Sequence, residues 1–190
     1  MPAHLKRTVV TMKLLKRIAD FLEYLNEIIG SWISWLTIAM VVLTFTVVLL
    51  RYVFNIGWIG MQESISYLHA FVFMLGAAYT FKHDAHVRVD IFYLKLTSRR
   101  QAIIDLFGNL FMLTPMCLFI FFSSLDYVSV SWRISESSQE TGGLPYVYLL
   151  KTVIPIMSVL LLFQAIAGSL QNLISIVENK SISHTHEAGL

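Results

Sequence analysis

Four stretches without a single Asp, Glu, Lys or Arg constrain this chain more than any other feature. They are Ile28 to Leu50, Ser64 to Phe81, Leu106 to Leu125 and Thr152 to Val177. A helix needs about 20 residues to cross a hydrocarbon core ~30 Å thick. The second stretch is short and borrows a turn around Glu63; the fourth is long enough to tilt or to emerge at one end. Segments such as VVLTFTVVLL and LFMLTPMCLFIFF are apolar all round, whereas a helix of a soluble bundle keeps a polar face. Only 14% of residues are charged and 56% are hydrophobic, against about 25% charged in soluble domains. The fold class is therefore an all-α integral membrane protein: four transmembrane helices plus an N-terminal amphipathic interfacial helix. The expected division is an arm over 1–27, spans over 28–50, 62–81, 106–125 and 152–177, connections over 51–61, 82–105 and 126–151, and a polar, disordered-looking tail over 178–190.

Orientation follows from the basic residues of the connections. Lys6, Arg7, Lys13, Lys16 and Arg17 precede the first span. Arg51 follows it. Lys82, Arg88, Lys95, Arg99 and Arg100 lie between spans two and three, Arg133 and Lys151 between three and four, and Lys180 in the tail. With both termini in the cytoplasm, eleven of these face inward and three outward. The first apolar run is too long for a signal-peptide core and reads as a retained anchor. The net charge of +2 is small and its bases are scattered, which argues against a nucleic-acid partner.

The arm has helical periodicity. Leu14, Ile18, Leu22, Leu25 and Ile29 recur at steps of three and four, with charged residues between them. Basic residues gather at its start, where anionic headgroups would attract them. Two readings stand: a horizontal helix bracing a partner, or an extension of the first span.

No span carries a charge, and an ion or substrate pathway usually leaves one. Nor do two halves of the chain repeat a broken helix, although Pro115 and Pro155 each fall in a span. His69 lies in span two without a histidine in another span to complete a bis-His haem site, so packing or a wet crevice suits it better. His83 and His86 are too few for a membrane di-iron centre, His184 and His186 lie in the tail, and no metal is assigned. Cys117 is lone and reads as buried packing. No nucleophile, base and acid come together, so an enzyme is not expected.

Three features rise above this background. Arg51 and Tyr52 end span one and Glu63 begins span two; the arginine and the acid can pair, or Arg51 and Tyr52 simply anchor the interface. Leu75-Gly76-Ala77-Ala78 offers small residues for close helix approach. His86-Val87-Arg88-Val89-Asp90 forms a connection after span two, in which Arg88 and Asp90 can pair with each other or with a partner. Gly142, Gly143 and Pro145 read as a turn feeding the last helix.

In this order (RY, then E, LGAA and HVRVD, then Ser131-Trp132 through SSQETGGLP, LLK, the IP of the last span and Gln164-Ala165-Ile166-Ala167) the motifs resemble the small membrane subunit of TRAP transporters, the tripartite ATP-independent periplasmic family. The second half is similar to the branch often labelled for mannitol or chloroaromatic compounds. The resemblance covers about Leu14 to Leu173. Many relatives carry Trp where this chain has Phe71, which keeps an aromatic.

The resemblance implies a bacterial inner-membrane location and two partners: a large permease subunit of elevator type and a periplasmic solute-binding protein. It implies no cofactor in this chain, with sodium expected in the large subunit. Substrates would be small organic solutes such as organic acids. The small subunit would stiffen its partner, and the small residues of span two and the Arg51/Glu63 pair would face it. Two rival classes remain: a cofactor-bearing anchor of a respiratory enzyme, raised by His69, and a stand-alone small carrier.

Overall fold

The computed structural model describes residues 3–83, 85, 90–93 and 95–187, with side chains described over 12–83, at 85, 91 and 93, and over 95–177. The helices are α1 (Ala3–Val53), α2 (Ile59–Lys82), the short α3 (Asp90–Tyr93), α4 (Ser98–Gly108), α5 (Thr114–Arg133) and α6 (Val147–Glu187), with a π turn at Asn109–Leu113 joining α4 to α5. Among the described residues there is no strand. Four helical stretches are long and apolar enough to cross a membrane. α6 is the hub: α1, α2 and α5 all pack on it, and α1 also packs on α2. A third of its apolar window is buried, against 6% in α1 and α2, so the outer faces of those two helices are open.

Polar side chains from different helices meet at two levels. Glu27 takes Lys82 Nζ at 2.6 Å and His83 Nε2 at 3.1 Å. At that same level Gln171 donates to Glu23 at 2.5 Å and Tyr93 to Asp105 at 2.5 Å. At the other level Lys151 Nζ meets Glu136 at 2.5 Å, Trp132 Nε1 donates to Thr152 Oγ1 at 2.9 Å, and Lys151 lies 3.9 Å over the Tyr127 ring. From Glu27 to Arg51, Glu63 to Lys82, Asp105 to Asp126 and Lys151 to Gln171, the helical rise is about 29 to 36 Å. Two polar girdles one hydrocarbon thickness apart frame the bundle. One lies on the side of the termini, the other on the side of the 54–58 and 134–146 loops.

The helices run past these girdles. α1 is unbroken from the arm into the first span. α6 starts at Val147, before the expected span, and continues to Glu187, so most of the expected polar tail is helical. The arm's packed stripe also differs from the expected one. Leu14 and Ile18 are exposed, whereas Ala19, Asn26, Gly30 and Ile33 are buried. Small residues and an amide, rather than the bulkiest apolar ones, let α2 and α6 come close. Leu14, Ile18, Phe21, Ile28, Trp32 and Trp35 form one outward stripe from arm into span.

The π turn has a local cause. Pro115 cannot donate to the carbonyl four residues back, and its ring crowds that turn. The chain widens instead, and the Thr114 N–H and Oγ1 both donate to the Asn109 carbonyl. At the opposite end of the bundle, the α1–α2 reversal is tight: Ile56 N–H donates to Leu50 O at 3.0 Å, and Asn55 adopts a φ of 54°, which asparagine tolerates.

Candidate functional site

Glu63, in the second turn of α2, holds the long loop before α6. Its Oε1 accepts from the Ser138 hydroxyl and its Oε2 from the Leu144 N–H at 2.6 Å. Ser138 N–H donates to Leu144 O at 3.0 Å, closing the loop on itself. Gly142 has a φ of +84°, and a Cβ at Gly143 would lie 2.5 Å from Ser138 Oγ and 2.8 Å from Glu63 Oε1. Both glycines are thus required where they stand, and Pro145 then delivers the chain to Val147. The expected Arg51–Glu63 pair does not form, because both carboxylate oxygens are spent on this loop. Arg51 and Tyr52 instead stand exposed beside a depression shared with Asn55, Trp58 and Gln62. Glu63 therefore faces its own chain.

The small residues of span two divide. Ala78 is 1% exposed and packs inward. A Cβ on Gly76 would meet nothing within 4 Å, so that glycine opens outward. Ala77 is half-buried between them. The tight approach within the chain is made by Gly30, where a Cβ would lie 2.2 Å from Tyr79 Cδ2 and 2.7 Å from Tyr79 Cβ. Sequence reading passed over Gly30 because a single glycine in a span has no motif around it.

It also passed over the buried amides. Asn26 Nδ2 donates to Gln164 Oε1 at 2.9 Å and to Leu160 O at 3.5 Å, with both amides buried. Asn109 is buried as well, beside Gly168. The spans carry no charge, yet they are not empty of polarity. Part of the signal was present: Gln164 is an amide within an apolar segment, which is costly unless it meets a partner, but Asn26 stands among the charged residues of the arm.

His69 lies in the loop-side half of α2, with its ring outward and stacked on Phe73 at 6.3 Å. Among the described residues it has no hydrogen-bond partner. It borders a groove of about 630 Å³ between α1 and α2, lined by Met40, Val41, Thr44, Phe45, Ile65 and Ser66. Thr44 and Ser64 satisfy themselves on their own helices, on Met40 O and Gly60 O. An unpartnered imidazole cannot do so, and at membrane depth such a group normally faces protein or water rather than lipid.

His86 and Arg88 lie outside the described residues, and only the backbone of Asp90 is described. Among the described residues no three His, Cys, Asp or Glu side chains gather as a metal site would require.

A bundle framed by two girdles, with uncharged spans, a clamped loop and one open face bearing an unpaired histidine, suits a membrane component that works against another subunit. Comparison with known proteins found no match among curated proteins and none among solved structures. Residues 40–174 match the family model described as Tripartite ATP-independent periplasmic transporters, DctQ component. The chain belongs to that family of transporter components, which is not an enzyme family.

Proposed function

We propose that the chain is the small scaffold subunit of a sodium-coupled, binding-protein-dependent importer of small organic solutes, organic acids foremost. In this reading the large permease subunit carries substrate and sodium and moves as an elevator, while a periplasmic protein delivers the solute. Both termini lie in the cytoplasm of a bacterial inner-membrane protein, as the basic residues of the connections favour. This chain supplies rigid surface and needs no cofactor of its own.

One observation carries the reading: His69, unpaired and outward at membrane depth, on the open groove between α1 and α2. A helix of the large subunit seated there would satisfy the imidazole and cover the groove. Gly76 supports the same face, since the space beyond it is free for a close-packed neighbour. The outward stripe from Leu14 to Trp35 gives the arm an apolar surface of its own on another side of α1, which supports a bracing role for it.

The test is reconstitution. The chain should co-purify with a large multi-span subunit, and liposomes should take up solute in response to a sodium gradient only when both are present. Full sodium-driven uptake without this chain would overturn the proposal. Transport by the purified chain alone would favour the small-carrier alternative.

A further inference from the structure

Between α1, α2, α4–α5 and α6 lies a second crevice, of about 500 Å³, at the girdle on the side of the termini. Its polar end is formed by Glu23, Lys82, Asp105 and Gln171, and its wall rises through Asn109 to Met112 and Met116. From Asp105 to Met116 is about 16 Å of helix rise, so the crevice begins at the girdle and ends within the hydrocarbon layer. Met112 and Met116 are exposed, so the apolar end opens sideways toward the bilayer.

Two independent observations mark this crevice as a site. Asn109 is 8% exposed, lines the crevice, and its side-chain amide has no partner among the described residues. It is held there by the π turn, and Gly168 opposite leaves it room: a Cβ would come within 3.0 Å of Asn109 Nδ2. The charge balance is the second. Lys82 is neutralised by Glu27. Glu23 and Asp105 each accept from a neutral group, Gln171 and Tyr93, and neither has a cation among the described residues. Among the described residues the crevice therefore holds two carboxylates that pair with no cation, since the one cation in its lining, Lys82, is taken by Glu27, then an unpaired amide one level deeper, and thioether walls deeper still.

We propose that this crevice binds a zwitterionic aminophospholipid, with its ammonium between Glu23 and Asp105, an ester carbonyl accepting from Asn109 Nδ2, and an acyl chain along Met112 and Met116. Carboxylates, amide and thioethers follow one another down the crevice in the order of the ammonium, ester and acyl levels of such a lipid. Anionic lipids are disfavoured by the two carboxylates, and a trimethylated headgroup has no N–H to donate. The site lies apart from the α1–α2 groove and is independent of which permease the chain serves.

The test uses the full chain, delipidated in detergent and titrated with dioleoyl phosphatidylethanolamine, phosphatidylglycerol or phosphatidylcholine, with retained lipid counted by native mass spectrometry. Phosphatidylethanolamine should be retained about tenfold better than either of the others, as expected for hydrogen bonds to charged groups. Soluble glycerophosphoethanolamine should bind far more weakly, because it lacks the acyl chain; equal binding would mean a free-amine site and would overturn the lipid assignment. Gly168→Leu, which fills the crevice, and the pair Glu23→Gln with Asp105→Asn, which removes its charge, should both abolish the preference. Helicity and unfolding measurements on each variant separate loss of lipid from loss of fold, and the milder Asn109→Ala should lower retention with the fold intact. Equal or better retention of phosphatidylglycerol would overturn the proposal. So would displacement of the lipid when the large subunit is added, which would assign the crevice to a partner side chain.

Discussion

Replacing Gly30 with Ala adds one carbon, and the structure says where it goes. That carbon would lie 2.2, 2.4 and 2.7 Å from Tyr79 Cδ2, Cγ and Cβ. The ring can turn, but Tyr79 Cβ is fixed to its backbone. Restoring an ordinary carbon contact of about 3.5 to 4.0 Å requires α1 and α2 to part by about 1 Å. Overpacking of this kind costs about 1–3 kcal/mol, partly offset by up to about 1 kcal/mol from replacing glycine in a helix. The net expectation is a loss of about 1–2 kcal/mol, roughly five- to thirtyfold in the folding equilibrium. Gly76→Ala is the matched control: its Cβ meets nothing, so only the propensity gain remains. SDS-titrated unfolding in mixed micelles, followed by tryptophan fluorescence, measures both. Tyr79→Ala should rescue Gly30→Ala in a double-mutant cycle, with a favourable coupling of about 1 kcal/mol or more. Equal effects at the two glycines, or strict additivity with Tyr79→Ala, would refute the close approach.

Three further outcomes are expected. Gln164→Leu removes the nearer partner of the buried Asn26 amide, leaving it only the 3.5 Å contact to Leu160 O, and should cost about 1–3 kcal/mol in the same assay, while the double change Asn26→Leu with Gln164→Leu should cost less than either single change. Gly76→Leu should leave the isolated chain stable yet weaken co-purification with the large subunit, and unchanged assembly would count against that face as the contact. The Lys151 ammonium holds the Glu136 carboxyl below its ordinary range. Its contribution is therefore complete above about pH 4.3 and is lost as pH falls through the lowered value. Hydrogen-exchange protection factors in the 134–146 loop, corrected for the intrinsic rate at each pH, should fall only at acid pH, and Glu136→Gln should flatten that response.

Much of the architecture was legible because it depends on composition over long windows. Uncharged runs of spanning length mark helices whatever they pack against, and all four stretches appear as such. Facing was less legible. Of the arm's expected stripe Leu14 and Ile18 point outward while Leu22, Leu25 and Ile29 are half-buried, because contact with α2 and α6 selects Ala19, Asn26 and Gly30 for their small size or hydrogen bonding rather than for hydrophobicity. Glu63 and Gly142-Gly143 were each visible as motifs, but a pairing across more than seventy residues has no local signature, so the acid was matched with the nearer Arg51. The helix ends ran further than expected for a similar reason: charged residues end a membrane span without ending a helix, as in α1 and α6.

The central claim is that the α1–α2 face, not the α5 face, meets the large subunit. Phe73 on α2 and Phe119 on α5 are each 72% exposed, which makes them a matched pair for a photo-crosslinking amino acid placed at one position or the other. Irradiation of the intact membrane should join position 73 to the large permease subunit, while position 119 yields lipid adducts alone. A permease adduct from position 119 and none from position 73 would contradict the account.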